Sequence, residues 1–288
     1  MKSSYKGARL LLVHAHPDDE TINNGATMAL YADLGAHVTL VTCTRGEEGE
    51  ILISDISHYA AHEDDTLGDH REIELSQAMN HLGVTDHRFL GAPYKKYRDS
   101  GMMGTTPNKR PDAFWNAQFE EAAYLLAKIV DEVQPHVMIT YDEFGGYGHP
   151  DHIQAHRVAM RASEKCSWDI PKIYWNIMPK SVVAKGIEAM KAQGSDFFGA
   201  ENVDDLPFVK DDSFVSALVH APEQVDKKMA AMKAHATQIT VDGPFFALSN
   251  NLGVQVFGDE YYTLVKGTKS APFDEDNFET DLFSGVKL

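Results

Sequence analysis

Short apolar runs alternate with longer amphipathic segments along the first half of the chain. Residues 9–13 (RLLLV) and 37–43 (HVTLVTC) have the continuous apolar character of buried strands. Between them, apolar residues recur at helical spacing over residues 22–34, and Gly35 follows as a helix stop. This order of strand, helix and strand predicts a β-α-β unit at the start of the chain.

The alternation continues to residue 141. The predicted elements are a helix at 67–82, a strand at 87–90, a polar loop at 91–110, a helix from 114 or 115 to 133, and a strand at 136–141. Strands separated by helices of this length are typically parallel, and helices then cover both faces of their sheet. The pattern therefore predicts an α/β fold with a mostly parallel sheet.

After residue 174 the pattern weakens. Candidate strands lie at 170–178 and 213–220, and candidate helices lie at 180–193 and 223–235. No internal repeat, low-complexity segment or linker is evident in the sequence. We therefore expect a single domain over residues 1–288, with a core at about 8–178 and a C-terminal part at about 179–288 that completes the ligand pocket.

Acidic residues outnumber basic ones, with 43 Asp and Glu against 26 Lys and Arg and a formal net charge of -17. Because nucleic-acid binding depends on Lys and Arg at phosphates, this charge disfavours a nucleic-acid partner and suits a neutral or cationic small molecule. The sequence contains no apolar run of membrane-spanning length and no signal-peptide pattern. Its two cysteines, Cys43 and Cys166, form no disulfide framework, so we expect a cytoplasmic protein without a membrane partner.

The first polar cluster, HPDDE at residues 16–20, follows the first predicted strand. Helix capping explains one or two of its acids, because carboxylates in a first turn stabilise the helix dipole. Capping does not explain His14 and His16 ahead of them. His16 and Asp19, three residues apart, could instead bind one cation while Asp18 points elsewhere.

The second polar cluster, GGYGHPDHIQAH at residues 145–156, follows the last strand of the regular pattern. Its glycines permit tight backbone conformations and close approach of a ligand. The helical spacing of His149, His152 and His156 can place all three on one face. The alternative interpretation is a glycine loop followed by a capped helix with surface histidines.

The two clusters are expected to meet, because right-handed crossovers bring the carboxyl ends of parallel strands to one edge of a sheet. They then offer nitrogen and oxygen ligands without thiolate, which suits zinc or a similar divalent ion. His16, Asp19 and one histidine of residues 145–156 would leave a fourth position for water. The pair His152 and His156 is a further alternative, although HIQAH lacks the glutamate base of HExxH proteases.

The combination of HPDDE after an early strand and HPDH after a later one resembles the LmbE-like (PIG-L) family of zinc-dependent N-deacetylases. The resemblance extends through VTCTRGEEGE, YRDSGM, AHATQ and LSNN and covers nearly the whole chain. It implies a Rossmann-like fold and one Zn²⁺ per subunit, with Fe²⁺ as an alternative in cells. It also implies hydrolysis of a sugar N-acetyl group, with N-acetylglucosaminyl-inositol of mycothiol biosynthesis as the small-molecule substrate.

The resemblance implies that His16, Asp19 and His152 are the zinc ligands and that Asp18 is the general base. Water bound to zinc can reach a pKa of about 7, and a carboxylate beside a ligand is well placed to accept its proton. The sequence contains neither GxGxxG nor GxxxxGK[ST], which disfavours an NAD-type oxidoreductase. A non-catalytic sugar-binding module with a structural metal is the remaining alternative class.

The resemblance also implies roles around the scissile amide. His149 would be a general acid or electrostatic stabiliser, Asp151 would orient it and favour its charged form, and Tyr147 would donate a hydrogen bond to the oxyanion.

Three further residues are implied to contact or shape the substrate site. Arg71 and Asp99 match positions that hold sugar and inositol hydroxyls, and Glu50 would shape the pocket. A related amidase, which cleaves mycothiol S-conjugates, has a lysine soon after HPDDE, whereas TINNGAT stands here. This difference favours the deacetylase over the amidase, with another N-acetyl sugar deacetylase as a further alternative.

Overall fold

The structure is a computed structural model that describes residues 5–192, 203–206, 208–242, 245–248, 253–255 and 257–288. The strands are β1 (Arg9–His14), β2 (His37–Thr42), β3 (Asp86–Phe89), β4 (Val137–Thr140), β5 (Lys172–Pro179), β6 (Val209–Lys210), β7 (Ala217–His220), β8 (Ile239–Asp242), β9 (Phe245–Leu248), β10 (Gly253–Gln255) and β11 (Asp259–Lys266). The helices are α1 (Asp19–Asp33), α2 (Leu67–Leu82), α3 (Phe119–Val133), α4 (Gly145–Gly148), α5 (Pro150–Lys165), α6 (Lys180–Ala192) and α7 (Val225–Ala234). Short 3-10 turns occur at Ser54–Tyr59, Pro107–Lys109, Phe114–Asn116, Val203–Asp205, Asp212–Phe214 and Pro222–Gln224.

The main sheet has the order β3-β2-β1-β4-β5-β11-β7, with β6 paired to β5. Its first five strands are parallel, whereas β11 runs antiparallel to both β5 and β7. A second, antiparallel sheet has the order β10-β9-β8. The predicted α/β fold with a mostly parallel sheet is confirmed.

The central strand β1 is buried on both faces, which explains its continuous apolar sequence. Because successive strand side chains point to opposite faces, Leu10 and Leu12 pack in one core, and Leu11 and Val13 pack in the other. Helices α1, α2 and α7 contribute to the first core, and α3 and α5 contribute to the second. Helices therefore cover both faces of the sheet, as the sequence predicts.

The third helix begins later than its apolar periodicity predicts. Phe114–Asn116 forms a separate 3-10 turn, and α3 starts at Phe119. The loop before it supplies the reason, since the backbone N–H of Phe114 donates to the carbonyl of Arg98 at 2.8 Å and that of Trp115 donates to Ser100 Oγ at 2.9 Å. These contacts replace hydrogen bonds within a helix.

Strand β11 is absent from the sequence-based prediction, although it lies inside the main sheet. Its Glu260 is only 4% exposed and pairs with Lys228 at 2.7 Å, so a charged residue occupies a core position. Glu260 also accepts the backbone N–H groups of Ala26 and Thr27 in α1. This carboxylate lies in the core, where a hydrophobic pattern alone would not place it.

The C-terminal part contributes to the same sheet through β11 and β7, and α7 packs on α1 and α2. The division of the chain near residue 178 stays a prediction. Residue 193 of the helix predicted at 180–193 and residues 249–251 of the LSNN motif lie outside the described residues. None of the helices in the described ranges has an apolar stretch that could cross a bilayer.

We expect Leu12→Ala to lower the free energy of unfolding by about 3 kcal/mol, because it opens a cavity between the sheet and its helices. Ile73→Ala is the matched control, because Ile73 is 57% exposed and its truncation should change stability by less than about 0.5 kcal/mol. Urea denaturation measures both changes. Equal effects of the two substitutions would contradict this description of the core.

Candidate active site

The two polar clusters lie side by side at the carboxyl edge of the sheet. HPDDE follows β1 and GGYGHPDH follows β4, and these two strands are parallel neighbours. The ring of His16 lies 4.7 Å from the ring of His149 and 5.2 Å from the ring of His152. Residues more than 130 positions apart in sequence therefore face one another, as the topology predicts.

The three predicted metal ligands contact one another through a shared carboxylate oxygen. Asp19 Oδ2 lies 3.4 Å from His16 Nδ1 and 3.3 Å from His152 Nε2. All three residues are buried, and His152 Nε2 has no hydrogen-bond partner. A buried imidazole nitrogen without a partner, beside a carboxylate and a second imidazole, fits the ligand chemistry of a divalent metal ion.

Donor atoms of two further groups lie within 4.8 Å of one another among the described residues. One group is His16, His149 and His152, and the other is His16, Asp99 and Asp151. The neighbouring carboxylates outweigh the opposing effect of burial and raise the pKa of His16 well above its ordinary value. The same negative charges would stabilise a bound cation, so this buried His/Asp group could hold a metal ion.

Each predicted ligand is held by a second group. His152 Nδ1 lies 3.1 Å from the carbonyl oxygen of Gly145, and Asp19 Oδ2 accepts a hydrogen bond of 2.7 Å from the Tyr141 hydroxyl. Such outer contacts fix ring orientation and tautomer in metal sites. Sequence reasoning did not identify Tyr141, whose only signal is its position at the end of the apolar run HVMITY.

Gly145 fits its position for a steric reason. Its φ is +65°, and an added Cβ would lie 2.6 Å from the Cβ of His152. The close approach predicted for the glycine segment is therefore to the first turn of α5 and not only to a ligand.

The carboxylate of Asp151 contacts His16 and not His149. Asp151 Oδ2 lies 3.1 Å from His16 Nε2 and accepts the backbone N–H of Ser100 at 2.9 Å, and the Ser100 hydroxyl donates to Asp151 Oδ1. The contact of Asp151 with His149 comes instead from its backbone N–H, which donates to His149 Nδ1, and the role of Asp151 in orienting His149 stays a prediction. The physical reason for the carboxylate contact is helix geometry, because Asp151 lies in the first turn of α5 and its side chain points back across the site.

His149 is the N-cap of α5, and its Nδ1 accepts the backbone N–H of Asp151 at 3.2 Å. Burial, with additional effects of His16 and His152, lowers the pKa of His149 well below its ordinary value. In a neutral imidazole whose Nδ1 accepts, the proton is on Nε2. An imidazole in this state is a neutral hydrogen-bond donor at Nε2, and the role of His149 in the reaction stays a prediction.

Asp18 has an unusual backbone and a restrained side chain. Its φ of 116° is rare for a residue other than glycine and costs about 1–3 kcal/mol. Its Oδ2 accepts a hydrogen bond of 3.1 Å from Arg71 Nη2. Burial raises the pKa of Asp18 to about 6, although Arg71 acts in the opposite direction.

The three residues predicted to bind or shape the substrate site differ in exposure. Arg71 is 2% exposed and also donates to the carbonyls of Gly46 and Pro17, so it braces the HPDDE turn. Asp99 is buried, with Oδ1 at 3.6 Å from His16 Nε2. Glu50 is exposed, and its backbone carbonyl accepts the amide of Gln238. Substrate contact by Arg71 and Asp99, and a role of Glu50 in pocket shape, stay predictions.

Tyr147 is 46% exposed on the short helix α4. Its ring lies 5.0 Å from the ring of His152 and 6.2 Å from the ring of His149. The preceding Gly146 has φ +73°, which interrupts the helical backbone. Tyr147 thus stands beside the His/Asp group with part of its side chain open to solvent.

The other two histidines of the motifs have structural partners. His14 Nε2 lies 2.8 Å from Asn24 Oδ1, and His156 Nδ1 lies 2.9 Å from the carbonyl oxygen of Tyr141. The ring of His156 packs against Trp175. The alternative metal pair of His152 and His156 therefore has no support from this geometry.

The fold and the buried His/Asp group define an α/β protein with a candidate metal site at the carboxyl edge of its sheet. A family profile described as PIG-L, GlcNAc-PI de-N-acetylase, matches residues 11–163. A 1D-myo-inositol 2-acetamido-2-deoxy-alpha-D-glucopyranoside deacetylase of Geodermatophilus obscurus is 56% identical, covering 96% of this chain and 98% of that protein. This chain belongs to the PIG-L family, and the resemblance predicted from its motifs is confirmed.

Solved structures show the same fold at low identity. The N,N'-diacetylchitobiose deacetylase of Pyrococcus horikoshii has a TM-score of 0.50 and 20% identity, covering 80% of this chain and 70% of its own. GalB of Pseudomonas putida, a 4-carboxy-2-hydroxymuconate hydratase, has a TM-score of 0.56 and 16% identity, covering 93% of this chain and 100% of its own. Because a deacetylase and a hydratase share the fold, the reaction must be argued from the site.

We expect Asp151→Asn to weaken metal affinity by about 10- to 100-fold, because the amide no longer holds His16 as a carboxylate does. Competition with a chelator measures this affinity. Asp131→Asn is the matched control, because the Asp131 carboxylate likewise accepts backbone hydrogen bonds, from the N–H groups of Ser167 and Trp168. Unchanged metal affinity in Asp151→Asn would contradict a role through His16.

Proposed function

We propose that this protein is a zinc-dependent N-deacetylase that hydrolyses the N-acetyl group of N-acetylglucosaminyl-inositol to glucosaminyl-inositol and acetate. The observation that carries the proposal is the convergence of His16, Asp19 and His152, with the partnerless His152 Nε2 beside Asp19 Oδ2. Two imidazoles and one carboxylate are a common ligand set of catalytic zinc sites. These three residues would hold the ion and leave one position open.

A divalent ion bound by these residues supplies Lewis-acid polarisation of the amide carbonyl and lowers the pKa of water. Asp18 is the proposed general base, because it is adjacent to a ligand and its own carboxylate contacts Arg71. A pKa raised toward neutrality makes a carboxylate a better proton acceptor at working pH. Arg71 orients that carboxylate through one hydrogen bond and leaves its other oxygen for the water.

We propose that His149 and Tyr147 donate hydrogen bonds to the carbonyl oxygen, and that the proton accepted by Asp18 passes to the departing nitrogen as the C–N bond breaks. With Nδ1 held by the backbone of Asp151, His149 presents Nε2–H as a fixed hydrogen-bond donor. A donor placed before the reaction stabilises developing negative charge without reorganisation, and its loss typically costs about 2.7–4 kcal/mol. Tyr147 adds a hydroxyl donor from the solvent side of the site.

The proposed substrate follows from the curated relatives. The relative from Geodermatophilus obscurus carries the substrate in its name and matches almost the full length of this chain. A polyhydroxylated, uncharged substrate also suits a buried site rich in carboxylates, because Asp99 can accept hydroxyl hydrogen bonds. The deacetylated product carries a free amine and is cationic, and the protein's net charge of -17 does not disfavour its binding.

We expect the purified protein to release acetate from N-acetylglucosaminyl-inositol, to lose this activity with a chelator, and to recover it when Zn²⁺ is restored. Coupled acetate detection and elemental analysis measure activity and bound metal. A mycothiol S-conjugate serves as the competing substrate, and we expect its kcat/KM to be lower. Activity that persists in metal-free protein, or a higher kcat/KM for the conjugate, would contradict the proposal.

We expect Asp18→Asn to lower kcat by about 10²- to 10⁴-fold, because the amide cannot accept the proton of the attacking water. Bound zinc should stay near the wild-type level, since Asp18 is not a proposed ligand. Asp55→Asn at an exposed position is the control and should keep full activity. Loss of both bound zinc and activity would instead indicate that Asp18 is a metal ligand.

A further inference from the structure

The AHATQ motif belongs to the sequence resemblance, and the proposed function gives it no role. His235 is the C-cap of α7, and it is fully buried together with Glu20. His235 Nε2 lies 2.9 Å from Glu20 Oε1, and the Thr21 hydroxyl donates to the same oxygen at 2.6 Å. A histidine from the C-terminal part thus contacts the last residue of HPDDE, 215 positions away.

The second oxygen of Glu20 contacts Asp18. Glu20 Oε2 accepts the backbone N–H of Asp18 at 2.9 Å. This is the residue whose φ of 116° places it outside the usual backbone regions. A backbone in such a conformation persists only where its surroundings hold it, and the Glu20 carboxylate is one of the groups that do so.

Asp18 is therefore restrained from two sides. Arg71 donates to its carboxylate, and Glu20, braced by His235, accepts its backbone N–H. The segment that carries His235 is itself fixed, because the backbone N–H and hydroxyl of Thr237 donate to Glu74 in α2 at 2.8 and 2.6 Å. The restraint on Asp18 thus extends from α7 to α2.

We infer that Glu20 and His235 are positioning residues that hold the backbone of Asp18 so that its carboxylate faces the reacting water and does not bind the metal. The inference rests on the proposed function, because it assumes that Asp18 is the general base. Neither residue needs to touch substrate. Their effect should appear in the chemical step and should leave substrate affinity and metal content unchanged.

The test compares Glu20→Met, which removes both acceptor oxygens at similar length, with Glu20→Gln, which keeps one oxygen able to accept the Asp18 N–H. We expect Glu20→Met to lower kcat by about 100-fold, since a displacement of about 1 Å can have an effect of that size, with KM and bound zinc near wild type. The kcat of Glu20→Gln should be at least tenfold higher than the kcat of Glu20→Met. Equal kcat in both variants and wild type, counted per folded enzyme, would overturn the inference.

Glu279→Met is the matched control for loss of a buried ion pair. Glu279 is fully buried and contacts Lys172 at 2.5 Å, at the amino end of β5 and thus at the opposite edge of the sheet. We expect this variant to be less stable, with unchanged kcat per folded molecule. A fall in kcat equal to that of Glu20→Met would make the effect a general consequence of destabilisation and would overturn the inference.

A double-mutant cycle separates failure of this inference from failure of the proposed function. If Glu20 acts through Asp18, Glu20→Met should have little further effect on the residual activity of Asp18→Asn. An undiminished effect in that background would overturn the positioning role. Full activity of Asp18→Asn alone would instead overturn the proposed function.

If Glu20→Met does not fold, His235→Met provides the same test, because it removes the partner of Glu20 and leaves the acceptor of the Asp18 N–H in place. We then expect about a tenfold fall in kcat with unchanged KM. Wild-type kcat in this variant would overturn the role of His235.

Discussion

The site depends on the electrostatic cost of placing several carboxylates together out of water. The carboxylates of Asp19, Asp99 and Asp151 lie around the buried His16, and that of Asp18 contacts Arg71. Buried charges are tolerated where they are paired, hydrogen-bonded or bound to metal. The carboxylates next to His16 raise its pKa, and a divalent ion in this position would satisfy them more fully than a proton does.

The order of the strands in the sheet brings these carboxylates together. Because β1 and β4 are neighbours and parallel, the residues that follow each strand emerge at one edge, and helices α1 and α5 begin there with their positive ends toward the site. The buried apolar strands fix the positions of these helix starts. The C-terminal part contacts α1 at two places. Glu260 accepts backbone N–H groups within the helix, and His235 contacts Glu20 in its first turn.

The sequence predicted the parallel core and the meeting of the two clusters because both follow from simple periodicities and from the handedness of crossovers. It could not predict which partner each side chain takes. The carboxylate of Asp151 contacts His16, whereas its backbone N–H donates to His149, an arrangement fixed by the first turn of α5. Glu260 of β11 has the polarity of a surface residue, yet it lies in the core and pairs with Lys228. Pair contacts of this kind join segments far apart in sequence, and they leave no local pattern.

The protonation state of the His149 imidazole depends on the same geometry and bears on the role proposed for this residue. A charged imidazolium beside a bound divalent cation would be repelled, and burial disfavours it further. The helix N-terminus resolves this conflict, because the Asp151 N–H donates to Nδ1 and a ring that accepts there can keep its proton on Nε2 without a net charge. In the proposed reaction, His149 would then stabilise the oxyanion through an oriented N–H dipole. Such a donor gives its full effect only if the ring is held, and the backbone N–H at the start of α5 holds it.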